Sequence, residues 1–238
     1  MSNIAGINNV ALANQAMMQL QDRSPSLPGL GVLHGHSGVG KSFAASYVAN
    51  AHRAFYVQCK STWTRKKFLE AILREMGIIP AKNLADMNEQ VCEELMQSGR
   101  PLIIDEADWL ADSKQNVMLA MDIYEGSQAS ILLIGEERLP AKLAKFEKIH
   151  NRILKWVPAQ PCQMRDVLQL ADIYASGIDI EEQLLLNLLD ATKGITRRVC
   201  INLENIRNWA ADNGLERVTT ANYSEPLFTG QAPRGRNV

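Results

Sequence analysis

Nothing in the sequence approaches the roughly 20 consecutive apolar residues that a membrane-spanning helix needs. Its first residues, MSNIAGINNVALANQ, hold neither a basic leader region nor a long apolar run. A secretory signal and a membrane partner are therefore not expected, and a cytoplasmic protein is. Cysteine is scarce: Cys59, Cys92, Cys162 and Cys200 lie far apart, with no C-x-x-C pair. That spacing fits neither a zinc site nor a redox motif and suits four reduced, mostly buried thiols. The four histidines, His34, His36, His52 and His150, suggest no metal cluster either. Net charge is also nearly missing, at a formal −1, so a nucleic-acid partner would have to be met by a local basic patch. No internal repeat and no low-complexity tract occurs.

What is present suits a globular chain. Its 238 residues are 46% apolar and 21% charged, enough for one large or two modest domains with a core of useful size. Residues 8–21 place Val10, Ala13, Met17 and Leu20 at helical steps, and the turn-rich SPSLPG ends that segment. Short apolar strands are expected at 30–34 (LGVLH), 54–58 (AFYVQ), 101–104 (PLII), 131–135 (ILLIG) and 152–157 (RILKWV). Helices are expected at 42–52, 64–76 and 83–97, the last ended by Ser98-Gly99. Strands alternating with helices imply a parallel sheet of five strands covered on both faces. After Pro158 the segments 164–174, 180–192 and 195–212 all read as helices. The expected organisation is an α/β core over 1–158 with an N-terminal linker over 1–29, a small all-α lid over 159–223, and a flexible basic tail over 224–238 carrying Arg234 and Arg236.

Two motifs carry chemistry. GHSGVGKS, residues 35–42, matches G-x-x-x-x-G-K-[ST] between a strand and a helix. Backbone N–H groups of Gly35, His36, Ser37, Gly38, Val39 and Gly40 are expected to curl around phosphate oxygens, with Phe43 just beyond them. Lys41 is expected to reach the β- and γ-phosphates of ATP, the Ser42 hydroxyl to ligate Mg2+, and the following helix to point its N-terminus at the anion. The ring of His36 is expected to face solvent or a neighbour. PLIIDEAD, residues 101–108, delivers Asp105 at a strand's carboxyl end, where it would hold Mg2+. Glu106 follows, placed to orient or deprotonate an attacking water. An Asp-Glu pair favours hydrolysis over transfer to a metabolite, which leaves a small-molecule kinase as the less favoured reading.

A phosphate-loop strand, an Asp-Glu strand end, a later strand ending in a polar residue and a helical lid together resemble the AAA+ ATPase family. The resemblance spans residues 8–212 and implies three further roles. Glu136, after the strand at 131–135, stands at the family's first sensor, where Asn, Ser or Thr is usual. Arg152, before the fifth strand, stands at the arginine finger, which would reach a nucleotide held by a neighbouring subunit. Arg197 in GITRRV stands at the second sensor, with Arg198 as the neighbouring alternative. The short chain and the LLIGEERL segment look like the branch typified by the phage Mu B protein and transposon target-selection ATPases. That branch implies a bacterial host, non-specific binding to double-stranded DNA, assembly into a ring or helical filament, and a transposase partner. A helicase loader or replication initiator is the alternative within the family.

The candidate DNA surface is KSTWTRKK, residues 60–67, which holds Lys60, Arg65, Lys66 and Lys67 without an acidic residue. Cations there neutralise phosphates, and Thr62 and Thr64 fix register. In DNA-encircling members of the branch the corresponding loop faces the pore. Lys114 could add to that face.

Overall fold

The computed structural model describes residues 7–231, and they fall into two compact units. The larger, Asn9–Ser37 with Lys41–Ala159, is built on a five-stranded sheet of order β2-β3-β4-β1-β5. Its strands are β1 (Leu30–His34), β2 (Phe55–Gln58), β3 (Leu102–Asp105), β4 (Ile131–Gly135) and β5 (Ile153–Pro158), all parallel. The three central strands, β1, β3 and β4, are buried along almost their whole length. That requires the continuous apolar runs they carry, because helices cover both faces. The edge strands β2 and β5 are only partly buried and are correspondingly more polar.

Helices α1 (Asn8–Gln21), α2 (Lys41–Ala51), α3 (Arg65–Glu75), α4 (Leu84–Ser98) and α6 (Lys114–Ser127) cover the sheet, with the single-turn helices α5 (Asp108–Ala111), α7 (Leu139–Leu143) and α8 (Glu147–His150) between strands. Helix α1 buries Val10, Ala13, Met17 and Leu20. It approaches β1 so closely that a Cβ on Gly31 would meet Leu20 Cδ1 at 2.8 Å. Helix α3 drives Phe68, Leu69, Ile72 and Leu73 into the core. Helix α4 opens on Asn83, whose side-chain oxygen accepts the Asp86 N–H at 2.9 Å, and closes on Gly99 at φ 62.

The smaller unit runs from Gln160 onward and also counts Gly38–Gly40. It consists of α9 (Met164–Tyr174), α10 (Glu182–Thr192) and α11 (Thr196–Asp212), joined by a parallel pair, β6 (Asp179–Ile180) and β7 (Arg217–Val218). The pair is an addition to the all-α lid expected from sequence; two residues per strand are too few for any period to show. Past α11 the chain is tied back by Asn202, which accepts the Phe228 N–H at 2.7 Å and donates to the Phe228 carbonyl at 2.9 Å. Arg234 and Arg236 of the basic tail lie outside the described residues.

Gly99 has a left-handed backbone with open space around its Cα, so a side chain there costs conformational energy and no clash. Gly99→Ala should lower stability by about 1 kcal/mol, read as a fall of roughly 2–4 °C in thermal midpoint.

Candidate active site

The parallel register brings the two motifs to one level of the sheet. His34 of β1 pairs with Gly135 of β4, and Ile104 of β3 pairs with Leu133 of the same β4. Asp105 and Glu106 therefore leave the sheet beside the start of the phosphate loop. One strand separates them from it, about 10 Å across two strand spacings. The Gly35 N–H donates to the Gly135 carbonyl at 3.3 Å, so the loop springs directly from that edge.

Gly38 and Gly40 hold φ of 84° and 89°, a backbone that side chains resist. This curl turns the loop back before α2. The Lys41 ammonium donates to the carbonyls of Gly35 and His36, each at 2.7 Å. Burial pushes the Lys41 pKa down, and the surrounding carboxylates of Glu106, Glu136, Asp105 and Asp108 partly restore it. Ser37, Ser42 and Phe43 are exposed, while Val39 is buried. The His36 ring sits outside the loop, with Nδ1 at 2.6 Å from the Glu137 carboxylate.

Asp105 is buried, and its two oxygens are already oriented: Tyr56 Oη donates to Oδ2 at 2.9 Å and the Glu106 N–H to Oδ1 at 2.8 Å. Glu106 itself has φ 53, an uncommon backbone for a non-glycine residue. It is held there because Ala107 N–H donates to the Ile134 carbonyl at 2.8 Å and Trp109 N–H to the Glu106 carbonyl at 3.1 Å. Burial raises the Glu106 pKa, reinforced by Asp105 and Glu136 and opposed by Lys41.

The remaining candidates separate. Glu136 is exposed; its N–H donates to Asp108 Oδ2 at 2.6 Å, and its charge acts on both Lys41 and Glu106. Arg152 lies at the opposite edge of the sheet. Its carbonyl accepts the Leu30 N–H at 3.2 Å, which puts it the length of β1, roughly 15 Å, from the phosphate loop of its own chain. Its guanidinium is 3.8 Å from Glu125 and half exposed. In the smaller unit, Arg197 N–H donates to the Gly38 carbonyl at 2.9 Å and the Arg197 side chain is exposed. The Arg198 guanidinium instead lies against Gly230.

Of the basic segment, Lys60, Thr62, Arg65 and Lys66 are exposed, with the Lys66 ammonium 3.3 Å from the Lys82 carbonyl. Lys67 is 3.6 Å from Glu70. Thr64 serves α3 as its N-cap, accepting the Lys67 N–H at 3.2 Å. Arg65 and Lys114 line one groove with Leu84, Met118 and Asp122.

Three groups escaped the reading of the sequence. Tyr56 orients Asp105 from the neighbouring strand. Asp108, almost fully buried, accepts from Glu136 and lies 3.5 Å from Lys142, which also pairs with Asp112 at 2.7 Å. Only the alternation of polar Tyr56 and Gln58 along β2, pointing away from the buried Phe55 and Val57, signalled the first.

A sheet edge that offers a curled, glycine-rich anion cradle beside a braced acidic pair is the construction of the P-loop nucleoside triphosphatases, here with the five-stranded parallel sheet of the AAA+ fold. The family model described as AAA domain matches residues 23–143, and the chain belongs to that family. Among solved structures, the Orc1 protein of Aeropyrum pernix in complex with DNA superposes with a TM-score of 0.62 at 18% identity, covering 88% of this chain and 61% of that one. Cdc6p of Pyrobaculum aerophilum gives 0.61 at 15%, covering 88% and 62%. A RuvB variant of Thermotoga maritima gives 0.63 at 16%, covering 90% and 68%. The chain thus spans about three-fifths of the length of the Orc1 and Cdc6p chains. No curated protein sequence matches it significantly. Among the described residues no helix is long and apolar enough to cross a membrane.

Gly135 closes the site from below. A Cβ there would overlap Asp108 Oδ2 and come within 2.7 Å of Leu139 Cδ2. Gly135→Ala should therefore destabilise the chain by about 1–3 kcal/mol, seen as a lower urea midpoint with unchanged slope.

Proposed function

We propose that this chain is an ATP-hydrolysing, duplex-DNA-binding AAA+ protein whose assembly is controlled by nucleotide. The observation that carries the reading is the shared level of the phosphate loop and the Asp105–Glu106 pair at one edge of the sheet. The residues present fit ATP with magnesium. The loop's left-handed glycines give it the curl that a phosphate cradle needs, α2 presents its N-terminus, and Ser42 and Asp105 supply the hydroxyl and carboxylate oxygens that Mg2+ takes when phosphates complete its shell. Among the described residues no group of three or more His, Cys, Asp or Glu could hold a metal by itself, so the phosphates would have to complete the site. When bound, the ion neutralises charge on the phosphate oxygens.

The chain's own residues supply the rest. Lys41 exchanges its two carbonyl partners for β- and γ-phosphate oxygens. Glu106 takes a proton from water as the water oxygen bonds to the γ-phosphorus; the bond to the bridging oxygen breaks, leaving ADP and phosphate. Tyr56 holds the Asp105 carboxylate in the rotamer that faces the site. Glu136 orients water through its charge, and Arg197, whose N–H donates to the Gly38 carbonyl of the phosphate loop, contacts the nucleotide. Arg152 is too far from its own loop to act there, which supports its use on the nucleotide of a neighbouring subunit in a ring or helical filament.

Arg65 and Lys114 on one groove, with Lys60, Thr62 and Lys66 exposed nearby, supply the phosphate-neutralising surface for double-stranded DNA. The resemblance of the sequence to the transposition regulators makes a transposase the protein partner on this reading. The likeness in fold to Orc1 bound to DNA and to Cdc6p favours the second reading, a replication initiator or helicase loader. Affinity capture of a transposase or of a helicase on the assembled protein separates the two.

Lys41→Ala should abolish nucleotide-dependent DNA binding in a mobility assay; undiminished binding contradicts the scheme. Glu106→Gln should lower the rate of ATP hydrolysis by about 100-fold or more and lengthen the lifetime of assemblies on DNA. Normal phosphate release by that variant removes Glu106 from its role.

A further inference from the structure

The basic surface carries one group that phosphate neutralisation does not account for. Trp109 is 47% exposed, although fully burying an aromatic ring of this size is worth about 2–3 kcal/mol. It stands on α5, just past the acidic pair, in a cleft with Lys60, Trp63, Thr64 and Asn116, and among the described residues no carboxylate lines that cleft. Trp63 on the far wall is half-buried and packs on the core, so it is already used. Trp109 is the aromatic face left to the outside, next to a lysine that can hold a phosphate. Indole over a base or sugar ring with an ammonium on the adjoining phosphate is how sequence-tolerant nucleic-acid contacts are built.

A second observation ties this ring to the chemistry. Trp109 N–H donates to the Glu106 carbonyl at 3.1 Å, closing a turn whose first residue has the left-handed φ of 53°. The exposed indole and the water-activating carboxylate are thus two ends of one hydrogen-bonded turn. A force on the ring acts on a backbone conformation that is already uncommon and therefore sensitive to its restraints.

We propose that Trp109 is a nucleic-acid contact, its ring packed on a base or deoxyribose while Lys60 holds the adjoining phosphate, and that occupancy there positions Glu106 through the shared turn. The proposal rests on the DNA-binding reading and adds to it a specific ligand-contacting residue and a route for DNA to stimulate hydrolysis.

The test uses the full chain with a slowly hydrolysed ATP analogue, titrated with a random-sequence duplex and with one of its single strands. Tryptophan fluorescence and mobility shift are read for the parent, Trp109→Phe, Trp109→Ala, and a Lys60→Ala, Arg65→Ala double variant. Trp109→Ala should weaken binding by about 5- to 100-fold, Trp109→Phe should recover most of that loss, and the DNA-dependent quenching of the parent should vanish in Trp109→Phe. A larger loss on single strands identifies base stacking; a larger loss on duplex identifies packing against sugar in a groove; either supports the contact. The phenylalanine arm decides the matter even if the alanine variant does not fold. With ATP itself, DNA stimulation of phosphate release should fall in parallel with the loss of binding in Trp109→Ala. Binding by Trp109→Ala within twofold of the parent, or quenching that persists in Trp109→Phe, overturns the inference. If the double variant loses binding in that case, the DNA-binding reading stands alone; if the parent binds neither strand form, both fall.

Discussion

The parallel register of β3, β4 and β1 is the constraint on which the site depends. A slip of one residue in either pairing would turn every inward side chain of the slipped strand to the other face, and with it the acid that must meet the phosphate loop. Register is held here by burial on both sides of the central strands, where Val32, Ile104 and Leu133 are all but inaccessible. The candidate site is thus positioned by the most strongly specified part of the core, while the phosphate loop, Asp105 and Glu106 stand at the carboxyl ends of strands, where backbone donors and acceptors run out and ligands can take their place.

At that edge, charge is concentrated and then braced. Asp105, Glu106, Asp108 and Glu136 surround one lysine, and the competition between burial and Coulomb attraction moves Lys41 and Glu106 in opposite directions, Lys41 down and Glu106 up. Nearby, Asp108 and Lys142 fix the turn after β3 to the turn after β4. The backbone after β4 at Glu136 is thereby tied to Asp108, two residues past Glu106. In a chain with almost no net charge, Arg65 and Lys114 nonetheless line one groove and Lys60 lines a second cleft, so cations still meet on local surfaces.

Much of this was legible in the sequence. LGVLH and ILLIG read as strands with the observed limits, because short apolar runs flanked by turn residues have few other uses. α9 was legible over residues 164–174 from its amphipathic period. Helix α6 was not: Val117, Leu119, Ala120, Met121, Ile123 and Tyr124 bury it on several sides, so no polar face marks a period. The limits of β3 and β5 shifted by one residue, since Asp105 and Pro158 finish strands that hydrophobicity alone would end earlier. At the site, the spacing of GHSGVGKS and the strand before Asp105 were local signals. The contacts of Tyr56 with Asp105, 49 residues apart, and of Asp108 with Glu136, 28 apart, were not. They exist only once strand order is set, and strand order follows from the packing of the whole sheet.

If Asp105 and the anion cradle at this edge hold nucleotide and Mg2+ together, each must bind more tightly in the presence of the other. Titration calorimetry of the intact chain with ATP, in the presence and absence of Mg2+, tests it most directly. Saturable uptake of one nucleotide per chain, tighter with the ion, is the expected result. Absence of any heat of binding in either condition, for a chain whose fold is intact by circular dichroism, would contradict it.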